Sequence, residues 1–473
     1  MRHLPALVAA TLLVLVVAQP ATAATACSFD PMTATVSIST GTAVTVAPVN
    51  DEIRVGGAQC DTATVTNTDT IDIEVAPWVG DMPVVTMDVT DQPLAPGASD
   101  EGDGSSEIEV TLHGSQYQLG VVSGGTNDQV SIFRNDSGFV VVNLNDGESV
   151  IDADIATGNT FNPTFQLGDG DDSFGASDLG GNHSSGAYTI VDAGDGDDHV
   201  YVTGSGEFDA GPDDVIQSDD DIIDLSRFDL DCDVLFHSGD DSSVACDAGL
   251  AAEFTATFFE TVIGHDGIDH LFAAGWETEL RGGPGDDLIA PSAGDESIVG
   301  GPGTDMIATQ SQDDLTFRLD EGKIVGEGHD RFAGIEGLYS TGGGDDRFVG
   351  KPSAPLHLVD GGEGRDVVNL SSAGRGMVIR TLGSMAETPD GGFWVADASI
   401  IGSRFADRFI GDPGSSLSER DSFDGGAGDD RLSGGDAADH LRGGAGDDRI
   451  LGGPGRDTCS GGPGDDSISG CER

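Results

Sequence analysis

Positive charge is scarce in this sequence. Its 473 residues carry 21 Lys+Arg against 84 Asp+Glu, a formal net charge of −63. A surface of that sign repels phosphate, which excludes electrostatic binding to nucleic acid and docking on anionic lipid. Aromatic residues are also sparse, at 6%, which argues against a conventional large enzyme core. After the first 17 residues no apolar run approaches the ~20 residues that a membrane helix needs, so no membrane span is expected. Cys-x-x-Cys, His-Glu-x-x-His and Gly-x-Ser-x-Gly do not occur. Their absence removes a zinc knuckle, a zinc protease and a hydrolase elbow from consideration. Helical periodicity is missing as well, apart from a short stretch around Ala248–Thr255. What the chain has in excess is Asp and Gly, the latter at 72 residues. So many carboxylates oppose compaction unless cations offset them.

The N-terminus reads as an export signal. Arg2 and His3 precede the apolar run Leu4–Val17, and Ala21-Thr22-Ala23 and Ala24-Thr25-Ala26 both offer small-x-small cleavage sites, after Ala23 or Ala26. Residues 1–23 are therefore assigned as a signal peptide, and the mature chain is expected outside the cell. The six cysteines, Cys27, Cys60, Cys232, Cys246, Cys459 and Cys471, all follow it. An even count in an exported chain suggests disulfides. Six cysteines allow ~15 connectivities, and the sequence neighbours 27–60, 232–246 and 459–471 close the shortest loops.

Internal repeats organise the rest. Residues 425–469 divide into five nonapeptides, GGAGDDRLS, GGDAADHLR, GGAGDDRIL, GGPGRDTCS and GGPGDDSIS, each with Gly at positions 1 and 2 and Asp at position 6. A second run of five spans 264–308: GHDGIDHLF, AAGWETELR, GGPGDDLIA, PSAGDESIV and GGPGTDMIA. Isolated copies begin at 167, 193, 341, 361 and 402. Positions 1 to 6 ask for a tight, glycine-permissive turn that exposes carbonyls beside the Asp. Positions 7 to 9 make a short strand with one apolar side chain, at position 8, turned inward. One inward residue per nonad cannot stabilise a repeat alone, so neighbours must stack. Two nonads then make one ~18-residue turn of a flattened right-handed parallel coil, with loops n and n+2 on the same edge.

Two stacked loops supply two Asp carboxylates and several backbone carbonyls. That set suits Ca²⁺, which takes ~6–8 oxygen ligands at flexible angles, better than Mg²⁺, which demands stricter geometry. The nonads resemble the RTX, or haemolysin-type, calcium-binding repeats. The resemblance is strong over 264–308 and 425–469 and patchy from 167 to 410. Best-known members of that family are toxins, proteases and lipases, but this chain has an N-terminal signal and no recognisable catalytic domain.

Stacking predicts which carboxylates share an ion. Asp430/Asp448, Asp448/Asp466 and Asp439/Asp457 give three sites in the C-terminal array, and Asp269/Asp287 and Asp287/Asp305 give two in the central array. At least five calcium ions are thus expected. Carbonyls come from loops carrying Gly282, Gly285, Gly300, Gly303, Gly425, Gly428, Gly443, Gly446, Gly452, Gly455, Gly461 and Gly464. Asp346 and Asp366, twenty apart, need a two-residue bulge to pair, and Asp172 and Asp198 are twenty-six apart. The opposite central edge has Thr278 and Glu296 at position 6 and lacks the paired Gly in PSAGDE, so a one-sided calcium column is expected there.

The fold class expected is all-β: a right-handed parallel β-roll or β-solenoid of GGxGxDxUx nonads behind an irregular β N-terminal region. The expected divisions are the signal (1–23), the irregular front end (24–165), a degenerate solenoid with isolated calcium loops (166–263), the central roll (264–308), degenerate cassettes (309–410) and the C-terminal roll with a disulfide cap (411–473). The expected function is a secreted, non-enzymatic calcium-binding protein whose folding and rigidity depend on extracellular calcium. Two alternatives stand beside it: a calcium-stiffened adhesin or matrix protein with a cell-surface or polysaccharide partner, and a polysaccharide-acting β-helix enzyme.

Overall fold

A computed structural model of the chain describes residues 25–472, apart from 78–81, 91–107, 115, 125–128, 135–139, 145–154, 158–162, 176–188, 203–205, 211–220, 227–231, 238–240, 247–248, 258, 274–277, 327, 341, 353–355, 382–392, 397 and 412–419. The signal peptide assigned to 1–23 lies outside the described residues. Forty-four strands and no helix occur among the described residues. Most strands pair in parallel and run in two sheets of twenty-two strands each.

The eighteen-residue period appears directly in the pairing. In one sheet Arg431 is the register partner of Arg449, and Arg449 of Ser467. In the other, Ser422 pairs His440 and His440 pairs Thr458. Successive nonads therefore alternate between sheets, and each strand has only about three residues because only positions 7 to 9 are extended. Position 8 fills the space between the sheets. Leu271, Leu280, Ile289, Ile298 and Ile307 are all buried in the central array, as are Leu432, Leu441 and Ile450 in the C-terminal one. Outside the two arrays, larger side chains do this job: Phe317 stacks on Phe348 at 4.4 Å and Phe409 on Phe423 at 4.5 Å.

The front end is built on the same plan with longer turns. The strands Thr35–Thr40, Thr70–Val75 and Glu109–Gly114 are parallel neighbours in the first sheet, and Val44–Val49, Val84–Asp88, Gln118–Val122 and Thr164–Asp169 are parallel neighbours in the second. Ala26–Asp30 lies antiparallel on Thr35–Thr40, and Glu52–Val55 with Ala58–Thr64 folds back on Val44–Val49. These antiparallel strands cover the end of both sheets, and the Cys27–Cys60 disulfide joins them. At the other end Cys459, the inward residue of its nonad, is bonded to Cys471. Cys232 and Cys246 are register partners in an antiparallel pair, and their side chains lie outside the described residues.

The stretch around Ala248–Thr255 is not helical. Gly249–Thr257 is a strand, antiparallel to Asp241–Cys246 and parallel to Gly206–Asp209. Local apolar and alanine content suits either state, and ladder hydrogen bonds on both sides decide for the strand.

Candidate metal centre

Each loop stacks on its counterpart one turn away through its backbone. Gly283 N–H donates to the Gly300 carbonyl at 3.0 Å and Gly285 N–H to the Pro302 carbonyl at 3.0 Å; Gly444 and Gly446 do the same to Gly461 and Pro463 at 2.7 and 3.0 Å. The need for positive φ is narrower than the whole turn. It falls on position 2, as in Gly444 at +111°, and position 4, as in Gly446 at +140°. Glycine at position 1 has a steric cause instead. A methyl on Gly282, Gly425, Gly434 or Gly443 would collide with the carboxylate of the same loop's position 6.

The position-6 aspartates form ladders. Each Oδ1 accepts the position-6 N–H one turn earlier: Asp430 N–H to Asp448 at 2.8 Å, Asp448 N–H to Asp466 at 3.1 Å, and Asp439 N–H to Asp457 at 3.0 Å. In the central array Asp269 N–H reaches Asp287 at 2.9 Å and Asp287 N–H reaches Asp305 at 3.0 Å. Asp346 N–H bonds Asp366 at 2.7 Å across the twenty-residue spacing, and Asp172 N–H bonds Asp198 at 2.7 Å across twenty-six. Position 5 makes a second, exposed ladder of opposite direction. There the carboxylate accepts from the turn that follows, as in Asp447 N–H to Asp429 at 3.0 Å and Asp465 N–H to Asp447 at 2.9 Å. The recurring Asp-Asp pair thus serves two ladders.

Six of the position-6 carboxylates are buried and incompletely satisfied. Asp287, Asp305, Asp430, Asp439, Asp448 and Asp457 are at most 2% exposed. Their Oδ2 atoms are buried without a hydrogen-bond partner. Burial pushes the Asp287 and Asp430 carboxyls up to about 7, and those of Asp305 and Asp439 up to about 6, with neighbouring carboxylates adding to the rise. A buried, unpaired carboxylate oxygen is costly, and a stack of them is costlier. A hard cation between successive loops would satisfy each one. No cluster of three or more His, Cys, Asp or Glu side chains suited to a metal occurs among the described residues. The remaining ligands must be oxygen atoms of the loop backbone, and each carbonyl retains a second lone pair after accepting one N–H. The donor set is all oxygen, which fits calcium.

Position 2 separates two kinds of loop. In the loops of Asp287, Asp305, Asp430, Asp439, Asp448 and Asp457 it is Gly, and Oδ2 is left open. At the first loop of the central array it is His265, whose backbone N–H and ring Nδ1 hold Asp269 Oδ2 and Oδ1, each at 2.7 Å. In the loop 402–407 it is Ser403, whose N–H and hydroxyl hold Asp407 at 2.6 and 2.9 Å. Asp269 is therefore placed in its predicted ladder but already engaged by the protein.

Several ladder members were not among the expected residues. Asp198 N–H bonds Asp221 (2.7 Å), and Asp221 N–H bonds Glu260 (3.0 Å). Asp305 N–H bonds Glu336 (2.6 Å), and Asp457 N–H bonds Glu472 (2.6 Å). Asp421 N–H bonds Asp439 at 3.0 Å, and Asp407 N–H bonds Asp430 at 2.7 Å. Among the described residues, three aspartate ladders reach a glutamate. Two of these caps share a form, Gly334-Ile335-Glu336 and Gly470-Cys471-Glu472, with the glycine at +68° in both. The longer side chain reaches the last N–H from a turn that lacks the full loop. The Cys459–Cys471 disulfide holds the second cap in place.

Stacked glycine-rich loops, buried aspartate ladders and short parallel strands define a calcium-binding β-roll. The family model of the RTX calcium-binding nonapeptide repeat (4 copies) matches residues 279–315, 417–441 and 433–468, and the chain carries RTX calcium-binding repeats there. No curated protein matches the chain.

Proposed function

We propose that this is a secreted, non-enzymatic protein whose β-roll folds and stiffens when calcium binds between stacked loops. The ligands are the position-6 carboxylates of Asp287, Asp305, Asp430, Asp439, Asp448, Asp457 and Asp466, with Asp346/Asp366 and Asp172/Asp198 as further pairs and Asp269 held back by His265. The carbonyls come from the loops of Gly282, Gly285, Gly300, Gly303, Gly425, Gly428, Gly443, Gly446, Gly452, Gly455, Gly461 and Gly464. The observation that carries the reading is the set of buried Oδ2 atoms without partners on Asp287, Asp305, Asp430, Asp439, Asp448 and Asp457. Without cations, the net charge of −63 resists compaction. With millimolar calcium outside the cell, binding to the folded state alone stabilises it by mass action. Far-UV circular dichroism of the full chain during calcium titration tests this. A β-structured spectrum in EDTA that calcium leaves unchanged would sink the coupling.

A calcium-stiffened rod that holds an acidic polysaccharide is the second reading. Arg408, Arg431 and Arg449 are consecutive register partners at outward position 7, all exposed. Neighbouring strands lie ~4.8 Å apart, so this column presents regularly spaced guanidinium groups on an otherwise acidic molecule. Retention on an anionic polysaccharide that survives Arg431→Glu would remove the support for it.

A further inference from the structure

The central edge expected to be empty contains a pair of buried carboxylates. Its loop PSAGDE places Glu296 at position 6, and the turn stacked on it is not eighteen residues away. It is the segment 325–333, thirty-four residues on, whose strand His329–Ala333 pairs in parallel with Ser297–Val299. That segment, VGEGHDRFA, has Gly at positions 2 and 4, Asp330 at position 6 and Phe332 at position 8. The hairpin strands Thr316–Arg318 and Lys323–Val325 are inserted before it, which hides the repeat from any fixed-spacing comparison. Glu296 N–H donates to Asp330 Oδ1 at 3.0 Å, the ladder contact of the consensus loops.

Among the described residues the two carboxylates have no counter-ion. Glu296 is 2% exposed and Asp330 3%, and neither makes an ion pair with Lys, Arg or His among the described residues. Ser292 donates its hydroxyl to Glu296 Oε1, while Oε2 is buried and accepts from no N–H or hydroxyl donor; the Asp330 carboxyl lies within hydrogen-bonding reach of the Glu296 carboxyl. Beside the pair lies a cavity of about 200 Å³ lined by Ser292, Thr309, Ser311, Asp330 and the apolar Leu315 and Ile324. Such a volume holds several waters, since each occupies ~30 Å³ in the liquid.

We propose that Glu296, Asp330 and the cavity beside them form an additional divalent-cation site, in which the ion keeps water molecules that the consensus loops would replace with carbonyls. Two carboxylates, a nearby hydroxyl and water form an all-oxygen set for a hard cation. The proposal rests on the calcium-binding reading of the neighbouring loops. It differs in placing metal on an edge that sequence spacing leaves bare, and in the hydration of the ion.

The test uses the full chain, with calcium and with terbium as its luminescent stand-in. Equilibrium dialysis against radioactive calcium should give Glu296→Gln one bound equivalent fewer than the wild type. Terbium luminescence decay in H₂O and D₂O should reveal a hydrated class of ion that Glu296→Gln and Asp330→Asn lose. Equal stoichiometry and an unchanged hydrated class in a Glu296→Gln protein with wild-type circular dichroism would overturn the site. Should that variant not fold, Ser292→Ala replaces it: the hydrated class is expected to weaken several-fold, and unchanged binding overturns the proposal. A wild-type chain that binds no calcium would instead overturn the reading of the consensus loops.

Discussion

Asp448 stands in the middle of a ladder and Asp466 at its end. Asp448 accepts the N–H of Asp430 and its own N–H reaches Asp466, so its carboxylate belongs to two of the proposed calcium sites, whereas that of Asp466 belongs to one. Asparagine preserves the Oδ1 acceptor and removes the charge, which separates metal ligation from the ladder hydrogen bond. A site with a Kd of ~10⁻⁴ M in ~10 mM calcium is filled to about 100 Kd and stabilises the fold by about 2.7 kcal/mol. Asp448→Asn should therefore lower the calcium-dependent part of the unfolding free energy by about 5 kcal/mol, and Asp466→Asn by about 3 kcal/mol. In EDTA the order changes. Burial pushes the Asp448 carboxyl above its ordinary value, with Asp466 and Asp429 among the carboxylates adding to the rise, so neutralising it should leave the metal-free chain no less stable. Urea unfolding followed by circular dichroism, with calcium and with EDTA, measures both quantities. Equal losses in the two variants, or a loss in EDTA as large as in calcium, would refute the shared-ligand arrangement.

The metal-free fold should be stabilised by acid. Asp287 and Asp430 titrate at about 7 and Asp305 and Asp439 at about 6 in the folded state, against an ordinary 3.8. Their folded values are raised, so the folded chain holds protons that the unfolded chain has released, and stability falls as pH rises from about 4 to about 7. In EDTA, circular dichroism should show more β-structure at pH 5 than at pH 8; the reverse order would contradict the burial of these groups. Ala437 sits at +88° at position 4, where sister loops have glycine. A non-glycine residue there costs ~1–3 kcal/mol, so Ala437→Gly should raise the thermal midpoint of the calcium-loaded protein by an amount equivalent to about 1 kcal/mol; an unchanged midpoint would place the cost elsewhere.

Much of the roll could be read from residues alone because the repeat is local and periodic. The Gly-Gly pair, the Asp at position 6 and the apolar position 8 recur in step, and register pairs such as Arg431 with Arg449 follow from the eighteen-residue turn. Ladder partners at other distances could not be found that way. Asp221 meets Glu260 after thirty-nine residues, Asp305 meets Glu336 after thirty-one and Asp457 meets Glu472 after fifteen. A backbone register sets these contacts, and a hairpin or a shortened turn changes the count without changing the neighbour. One signal was available: Gly326, Gly328, Asp330 and Phe332 satisfy the nonad pattern as they stand.

The chemistry is legible in the residues alone: an acidic, glycine-punctuated chain with one inward residue per nonad, able to close only by stacking. Tertiary structure decided which carboxylates face each other and which are open. Asp269 and Asp448 occupy the same position of the same motif, yet His265 fills both oxygens of the first while the second retains a buried Oδ2 with no partner. The difference arises in space, from the side chain at position 2 and from the turn stacked above, and neither is encoded in the Asp itself.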